Sequence, residues 1–324
     1  MNYSDALVFN GHRIAVIVPS FRVAAHLPEV LRGLPPFVDH ILVVDDGSPD
    51  DVSAATCTER TELLRHASNQ GLAAAMVTGL RRALELDVDV IVKMDGDGQM
   101  DPTYLPALLG PITADEADLT KGNRFMKRRH LAGMPAERRA GNLVLSFVTK
   151  VASGYWNIFD PTNGYIAIRR ELASEMDLDR LGPRYYFETS LLCEAYLAGA
   201  VVRDIPIPAR YRDENSGLSL TWAAAAFPRL LARSFARRIV LRYFVRDFTP
   251  FALFLVAGCL LAGTGLALGL WNWIERAGTG QPTPTGTIIL ALLPLLVGFQ
   301  LLLQAVVMDI GNVPTSSPWR GLRR

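Results

Sequence analysis

The chain has 324 residues, half of them hydrophobic, and a formal net charge of +1. That length suits one ordinary domain plus something unusually apolar, and the near-neutral balance removes any global argument for a nucleic-acid partner. Its three cysteines, Cys57, Cys193 and Cys259, fall in no CxxC or Cys/His spacing. This argues against a disulfide framework or a zinc site and leaves core packing as the expectation for all three.

Met1 to His12 is polar and the first apolar run, Ile14 to Val18, is too short for an h-region, so no signal peptide is expected. From there short apolar runs alternate with helical stretches. "RIAVIVP" (13–19), "HILVVDD" (40–46) and "DVIVKMD" (89–95) read as buried strands, while "HLPEVLRGL" and "NQGLAAAMVTGLRRALEL" carry helical periodicity between them. The alternation predicts an α/β domain with a mostly parallel, Rossmann-like sheet wrapped by helices, in which ligands sit beyond the carboxyl ends of the strands. Each polar cluster of this half falls at such an end. Pro19-Ser20-Phe21 ends the first strand, Asp45-Asp46-Gly47-Ser48 the second, and Asp95-Gly96-Asp97-Gly98-Gln99 the third.

Two carboxylates two residues apart on a glycine-containing turn, joined by the amide oxygen of Gln99, offer hard oxygen ligands suited to Mg²⁺ or Mn²⁺. Such a cation keeps water and takes further ligands from substrate phosphates, so the third turn points to a metal-bridged diphosphate. An isolated Asp-x-Asp is more often a solvated turn, here capping a helix at Asp101-Pro102; the strand context and the second acidic turn favour the metal. The second turn taken alone is a βα connection with an N-cap, or a carboxylate placed to accept hydrogen bonds from a nucleobase edge.

Everything before about Thr221 reads as soluble. "FPRLLARSFARRIVLRYFVRDF" (227–248) then interleaves aromatic and aliphatic residues with arginines, as an interfacial amphipathic helix or a broken pair of them would. Its arginines, Arg237, Arg238 and Arg242 among them, are expected to meet anionic headgroups and guide a lipid phosphate. The runs Phe251–Trp271 and Thr285–Met308 carry no charge, and each reaches the ~20 residues that cross a bilayer as helix. Arginines at 229–246 and at 320, 323 and 324 flank both spans on one side. The positive-inside rule therefore predicts a cytoplasmic head and cytoplasmic termini, with "NWIERAGTGQPTP" outside, and Asp309 and Asn312 at the cytoplasmic interface. The expected organisation is a catalytic domain over 1–221, amphipathic juxtamembrane helices over 222–249, a two-helix hairpin over 250–310 and a basic tail over 311–324.

The order "IVPSF…LPEVL…ILVVDDGSPDD…NQGLAAA…DGDGQMDP…GNRF…RRAGN…FDPTNGY…YYFE…RYRDENSGLS" resembles the family 2 glycosyltransferases of GT-A fold. With the two C-terminal spans it is most similar to the polyprenyl-phosphate glycosyltransferases, the group containing dolichyl-phosphate mannose synthases and bacterial undecaprenyl-phosphate sugar transferases. The resemblance implies Asp95, Asp97 and Gln99 as the metal and diphosphate site, with Gly96 in the same turn. It implies Pro19, Phe21, Asp45 and Asp46 on the nucleotide side, and Arg124 and Arg139 as phosphate-handling arginines, a role that suits the guanidinium fork. Arg212, Ser216 and Ser219 match a loop that closes over donor and acceptor. Asp160 stands where the family has been suspected of a base; orienting sugar or acceptor is the alternative.

Two departures bear on specificity. Where the family commonly has Tyr-Asn-Glu after the first-strand proline, this chain has Ser20-Phe21-Arg22, so a carboxylate contact to the nucleotide is missing. Ile166 in "NGYIA" stands where dolichyl-phosphate mannose synthases have arginine, which argues against mannose. The expected reaction is inverting transfer from a nucleoside-diphosphate sugar, with UDP the expected nucleotide, to a polyprenyl phosphate at the cytoplasmic membrane. That acceptor is already an anion near neutral pH and has little need of a strong base. The alternatives are a polysaccharide synthase-like transferase, disfavoured by the absence of QxxRW and of further spans, and a non-catalytic nucleotide-binding scaffold. Homo-oligomerisation is left open.

Overall fold

A computed structural model describes residues 9–56, 58–127, 136–183, 186–208, 220–278 and 280–321. Two compact units divide the chain, one reaching to Phe235 and rejoined by the residues from Pro314 onward, the other Ala236–Val313.

The first unit is built on β1 (Ile14–Ser20), β2 (His40–Asp45), β3 (Thr61–Arg65), β4 (Val90–Lys93), β5 (Leu119–Asn123), β6 (Ile166–Arg169) and β7 (Val202–Pro206). They form one sheet in the order β3-β2-β1-β4-β6-β5-β7. Pairing is parallel except at β6, which runs antiparallel to both β4 and β5. β1 lies against β2 with Val18 opposite Val43 and Ser20 opposite Asp45, and against β4 with Ile17 opposite Lys93, which brings three strand ends to one rim.

Alternate side chains of the inner strands serve opposite faces. Val16, Val18, Val43 and Val92 join Leu27 and Leu31 of α1 (Leu27–Gly33) and Leu105, Leu108 and Leu109 of α3 (Leu105–Thr113) in one core. On the other face α2 (Leu72–Glu85) buries Ala75, Met76, Leu80 and Ala83, and at Gly79 it comes so close to Ile17 that a Cβ would not fit. Helix α4 (Ala136–Ser153), α5 (Arg170–Glu175) and α6 (Phe187–Leu197) complete the layer, α6 being buried on every side. Helix α7 follows at Leu220–Val240.

In the second unit a π-helical turn, Leu241–Val245, precedes α8 (Pro250–Ala277) and α9 (Thr285–Gly311), which pack along each other. Both are long and apolar enough to cross a membrane, with mean hydropathies of 2.2 and 2.3. Two expectations need correction here. Arg238 is fully buried, donating to Asp309 Oδ1 at 2.6 Å and Oδ2 at 3.1 Å, and Tyr243 Oη donates to the same Oδ1 at 2.6 Å. A guanidinium so engaged is not offered to lipid phosphates, and Asp309 is its internal counter-ion. Likewise Cys193 is buried as expected, but Cys259 is exposed on α8, where a thiol counts as one more small apolar group. Cys57 lies outside the described residues.

Candidate active site

Beyond the ends of β4 and β6 lies a cavity of about 130 Å³ lined by Asp95, Asp97, Gln99, Arg124, Thr162, Asn163 and Gly164, with Met100, Tyr165, Ile207 and Pro208 as apolar wall. The carboxylate turn is shaped by its own backbone. Gln99 N–H donates to Asp97 Oδ1 at 2.9 Å, Gly98 takes φ of 73°, and Asp101 caps the next turn by accepting from Thr103 N–H at 3.0 Å. Asp95, Asp97 and Gln99 therefore share one pocket, as their spacing predicts.

Behind Asp95 sits a charge that the sequence reading passed over. Lys93, 1% exposed, donates from Nζ to Asp95 Oδ1 at 2.7 Å and to the Gly164 carbonyl at 3.2 Å, with Glu188 Oε1 at 3.6 Å. A Cβ at Gly164 would press on that ammonium. Burial alone would depress the lysine, but the Asp95 and Glu188 carboxylates hold it above its ordinary value. Burial pushes Glu188 up to about 7, with Lys93 pulling the other way. The signal was present: a lysine inside "VIVKMD" has to be paired if the strand is buried.

Asp160 is fully buried at a left-handed backbone position, φ 56°. It holds Arg124 in a fork, with Nη2 to Oδ1 at 2.6 Å, Nε to Oδ2 at 2.8 Å and the Arg124 N–H to Oδ2 at 3.0 Å. Burial would raise its pKa, but the Arg124 guanidinium, together with Lys121, brings it below the ordinary carboxylate range. A carboxylate with both oxygens engaged and a lowered pKa is a poor proton acceptor and a good holder of an arginine. The loop is fixed from below by Lys121 Nζ, which reaches the carbonyls of Phe159 at 2.6 Å and Asp160 at 2.8 Å and Asp204 Oδ1 at 3.2 Å. Asp204 Oδ2 also accepts from Asn123 Nδ2 at 2.6 Å and Phe159 N–H at 2.8 Å. Lys121 and Asp204 are again charges inside strands.

The other expected residues lie outside the cavity lining. Asp45 is fully buried and accepts from Ser48 N–H at 2.8 Å and Arg65 Nε at 2.8 Å. Asp46 accepts from the Gln70 and Gly71 N–H groups at 2.9 and 2.7 Å, and its Oδ1 is 2.8 Å from His66 Nδ1. Pro19 sits in β1 opposite Val44, Phe21 is exposed with the Arg22 guanidinium 5.2 Å from its ring centre, and Gly96 packs against Val23 and Ser20. Arg139 is exposed on α4. Arg212, Ser216 and Ser219 lie outside the described residues.

A divalent cation fits this donor set. Among the described residues no three His, Cys, Asp or Glu side chains cluster into a protein-only metal cage. Two carboxylates and an amide at an open cavity are what a Mg²⁺ or Mn²⁺ completed by diphosphate and water requires.

A seven-stranded, mostly parallel sheet with an antiparallel strand beside a carboxylate turn defines a GT-A glycosyltransferase fold. The chain belongs to glycosyl transferase family 2, whose model matches residues 15–177, just over half its length. It is 34% identical over 215 residues to the polyprenol monophosphomannose synthase of Mycolicibacterium smegmatis, covering 62% of this chain and 79% of that one. It is 26% identical over 238 residues to the UDP-N-acetylglucosamine–dolichyl-phosphate N-acetylglucosaminyltransferase of Methanococcus voltae, covering 67% and 94%. Among solved structures it resembles Mycobacterium tuberculosis glucosyl-3-phosphoglycerate synthase with Mn²⁺, UDP-glucose and phosphoglyceric acid, at TM-score 0.52 and 19% identity over 70% of this chain and 80% of that one. At that identity the likeness speaks for the fold.

Proposed function

We propose that this chain transfers a sugar from a nucleoside-diphosphate sugar to a polyprenyl phosphate at a membrane surface. The observation that carries the reading is the cavity in which Asp95, Asp97 and Gln99 face the Asp160-held guanidinium of Arg124. Acceptors named for the relatives and the two apolar helices support the lipid half. Asp95, Asp97 and Gln99 would hold the cation, which supplies charge stabilisation to the departing diphosphate. Lys93 fixes Asp95 Oδ1, leaving Oδ2 for that purpose. Arg124, kept in place by Asp160, neutralises phosphate charge as the glycosidic bond breaks. The lipid phosphate attacks the anomeric carbon directly, inverting it, and no side chain has to remove a proton. We extend the reading to a UDP donor, supported by the UDP-sugar in the name of the Methanococcus voltae relative, and to a cytoplasmic head on arginine-flanked spans.

The test is a panel of UDP- and GDP-sugars with the full chain in nanodiscs and undecaprenyl phosphate, read by mass spectrometry. A lipid-phosphate hexose or N-acetylhexosamine is the expected product. Transfer to water-soluble acceptors only would overturn the lipid assignment, and a GDP-sugar preference would overturn the base.

A further inference from the structure

Helix α4 is amphipathic the wrong way round for a water-facing element. Its buried side carries Ser146, Thr149 and Ser153, exposed by 1%, 3% and 1%, beside the small apolar Ala152. Thr149 Oγ1 lies 3.5 Å from Thr189 Oγ1 of α6, and Ser146 Oγ finds no hydrogen-bond partner. Its outer side carries Leu143, Val144 and Phe147, exposed by 52%, 66% and 61%, with exposed Ala140 one turn earlier at helical spacing. Hydroxyls inside and large apolar groups outside invert the usual arrangement, and a contiguous exposed apolar stripe marks a contact with something apolar.

We propose that the Leu143–Val144–Phe147 face of α4 is a membrane-contact surface of the catalytic unit, seated at the headgroup and upper acyl level of an anionic bilayer. Charge chooses this occupant. Lys127 precedes the helix, and its first turns carry Arg138 and Arg139 against the single carboxylate of Glu137. Arg138 and Arg139 fall in the first turns of α4, the positive end of the helix dipole, where cations are unfavourable unless anions lie near. A basic end and an apolar face on one helix are the composition of an interfacial helix. A second copy of the chain is a poorer occupant, because three such side chains expose on the order of 300–400 Å², well under the ~800 Å² per partner of a standard interface. The surface also borders the site, since Lys150 at the end of α4 donates to the Trp156 carbonyl at 2.7 Å and lies 5.4 Å from the centre of the Phe159 ring, next to Asp160. A head lying on α4 would meet lipid phosphates at the level where its acceptor is anchored. The inference rests on the membrane part of the proposed function, and its test is separate from turnover.

The test uses the full chain with Cys57 and Cys259 replaced by serine, spin-labelled at Val144→Cys or Phe147→Cys, in single-copy nanodiscs containing anionic lipid. Both positions are exposed; Phe147→Cys gives up an edge contact with the half-buried Trp156 ring, 6.5 Å between centres, so Val144→Cys is the cleaner probe. Collisions with oxygen should exceed those with a water-soluble nickel chelate at both sites, as for a label at Leu260 on the exposed side of α8, while a label at Arg81 on α2 should behave as in water. Water-like collisions at both α4 sites overturn the proposal, as does label-to-label broadening that appears only in discs holding two copies. Leu143→Ser with Phe147→Ser should raise the apparent KM for undecaprenyl phosphate several-fold and leave UDP affinity unchanged. Sugar transfer to lipid by a protein whose α4 labels stay in water would overturn the surface alone. Lipid-buried labels on a protein that transfers nothing to lipid would overturn the function alone.

Discussion

The two acidic turns of the catalytic unit look alike in sequence, Asp45-Asp46-Gly47-Ser48 and Asp95-Gly96-Asp97-Gly98-Gln99, and both close a parallel strand. Their carboxylates sit in different surroundings. Asp45 and Asp46 are buried and engaged by Arg65, by the 66–71 segment and by the N–H of Ser48, so they tie loops together. Asp95 and Asp97 line an open cavity, with an internal lysine fixing one oxygen of the first. We propose that the first pair holds the scaffold and the second the metal, a difference in surroundings set by residues distant in sequence.

The comparison is broken most severely at Asp97. Asp97→Ala should lower transfer by at least ~10³-fold, since it removes a ligand from the charge-stabilising group, and retention of a tenth of wild-type turnover would contradict the assignment. Next comes Asp160→Asn, which keeps the shape but weakens the grip on Arg124. We expect turnover to fall by roughly 10–100-fold, the range of a displaced phosphate-neutralising group, with the acidic limb of the pH–rate profile unmoved. Loss of that limb in the variant would mean that Asp160 is the proton acceptor after all.

Asp46→Asn sharpens the contrast from the other side. Weakening charge-assisted bonds to two part-buried backbone amides and His66 should cost about 1–2 kcal/mol of stability, seen as a lower Tm, with less than about a threefold change in nucleotide KM. A selective rise in KM at unchanged Tm would return Asp46 to the donor site.

The smallest effect is expected at Glu188. Its folded pKa of about 7 lies above the ordinary 4.5, so between those values the folded protein binds the proton more tightly than the unfolded chain. The contribution of this group to stability is full below pH 4.5 and declines as pH rises through about 7. Glu188→Gln should flatten that part of the Tm–pH curve, and an unchanged slope would assign it to other groups.

Periodicity made the inner sheet legible. β1, β2 and β4 and helices α1 and α2 appear within a few residues of their expected bounds because uniformly buried strands are short apolar runs. The half-exposed β3, "TELLR", and the lysine-bearing β5, "LTKGN", carry no such run, and α6 has no polar face to give it a period. Both apolar spans were plain, whereas the Arg238–Asp309 pair joins residues 71 apart and turns an arginine expected at the lipid surface into a buried one. At the site, the order of motifs pointed to Asp95, Asp97, Gln99, Arg124 and Asp160. The supporting charges Lys93, Lys121, Asp204 and Glu188 were visible only as polar letters inside strands or a buried helix, whose partners the fold alone supplies.

The central claim is that one acidic turn binds a metal–diphosphate and the other holds the scaffold. Mn²⁺ binding followed by electron paramagnetic resonance, with and without UDP, tests it most directly in the full chain and in Asp97→Ala and Asp46→Asn. Nucleotide-dependent Mn²⁺ uptake should persist in wild type and Asp46→Asn and vanish in Asp97→Ala. Undiminished uptake in Asp97→Ala, or its loss in a folded Asp46→Asn protein, would contradict the account.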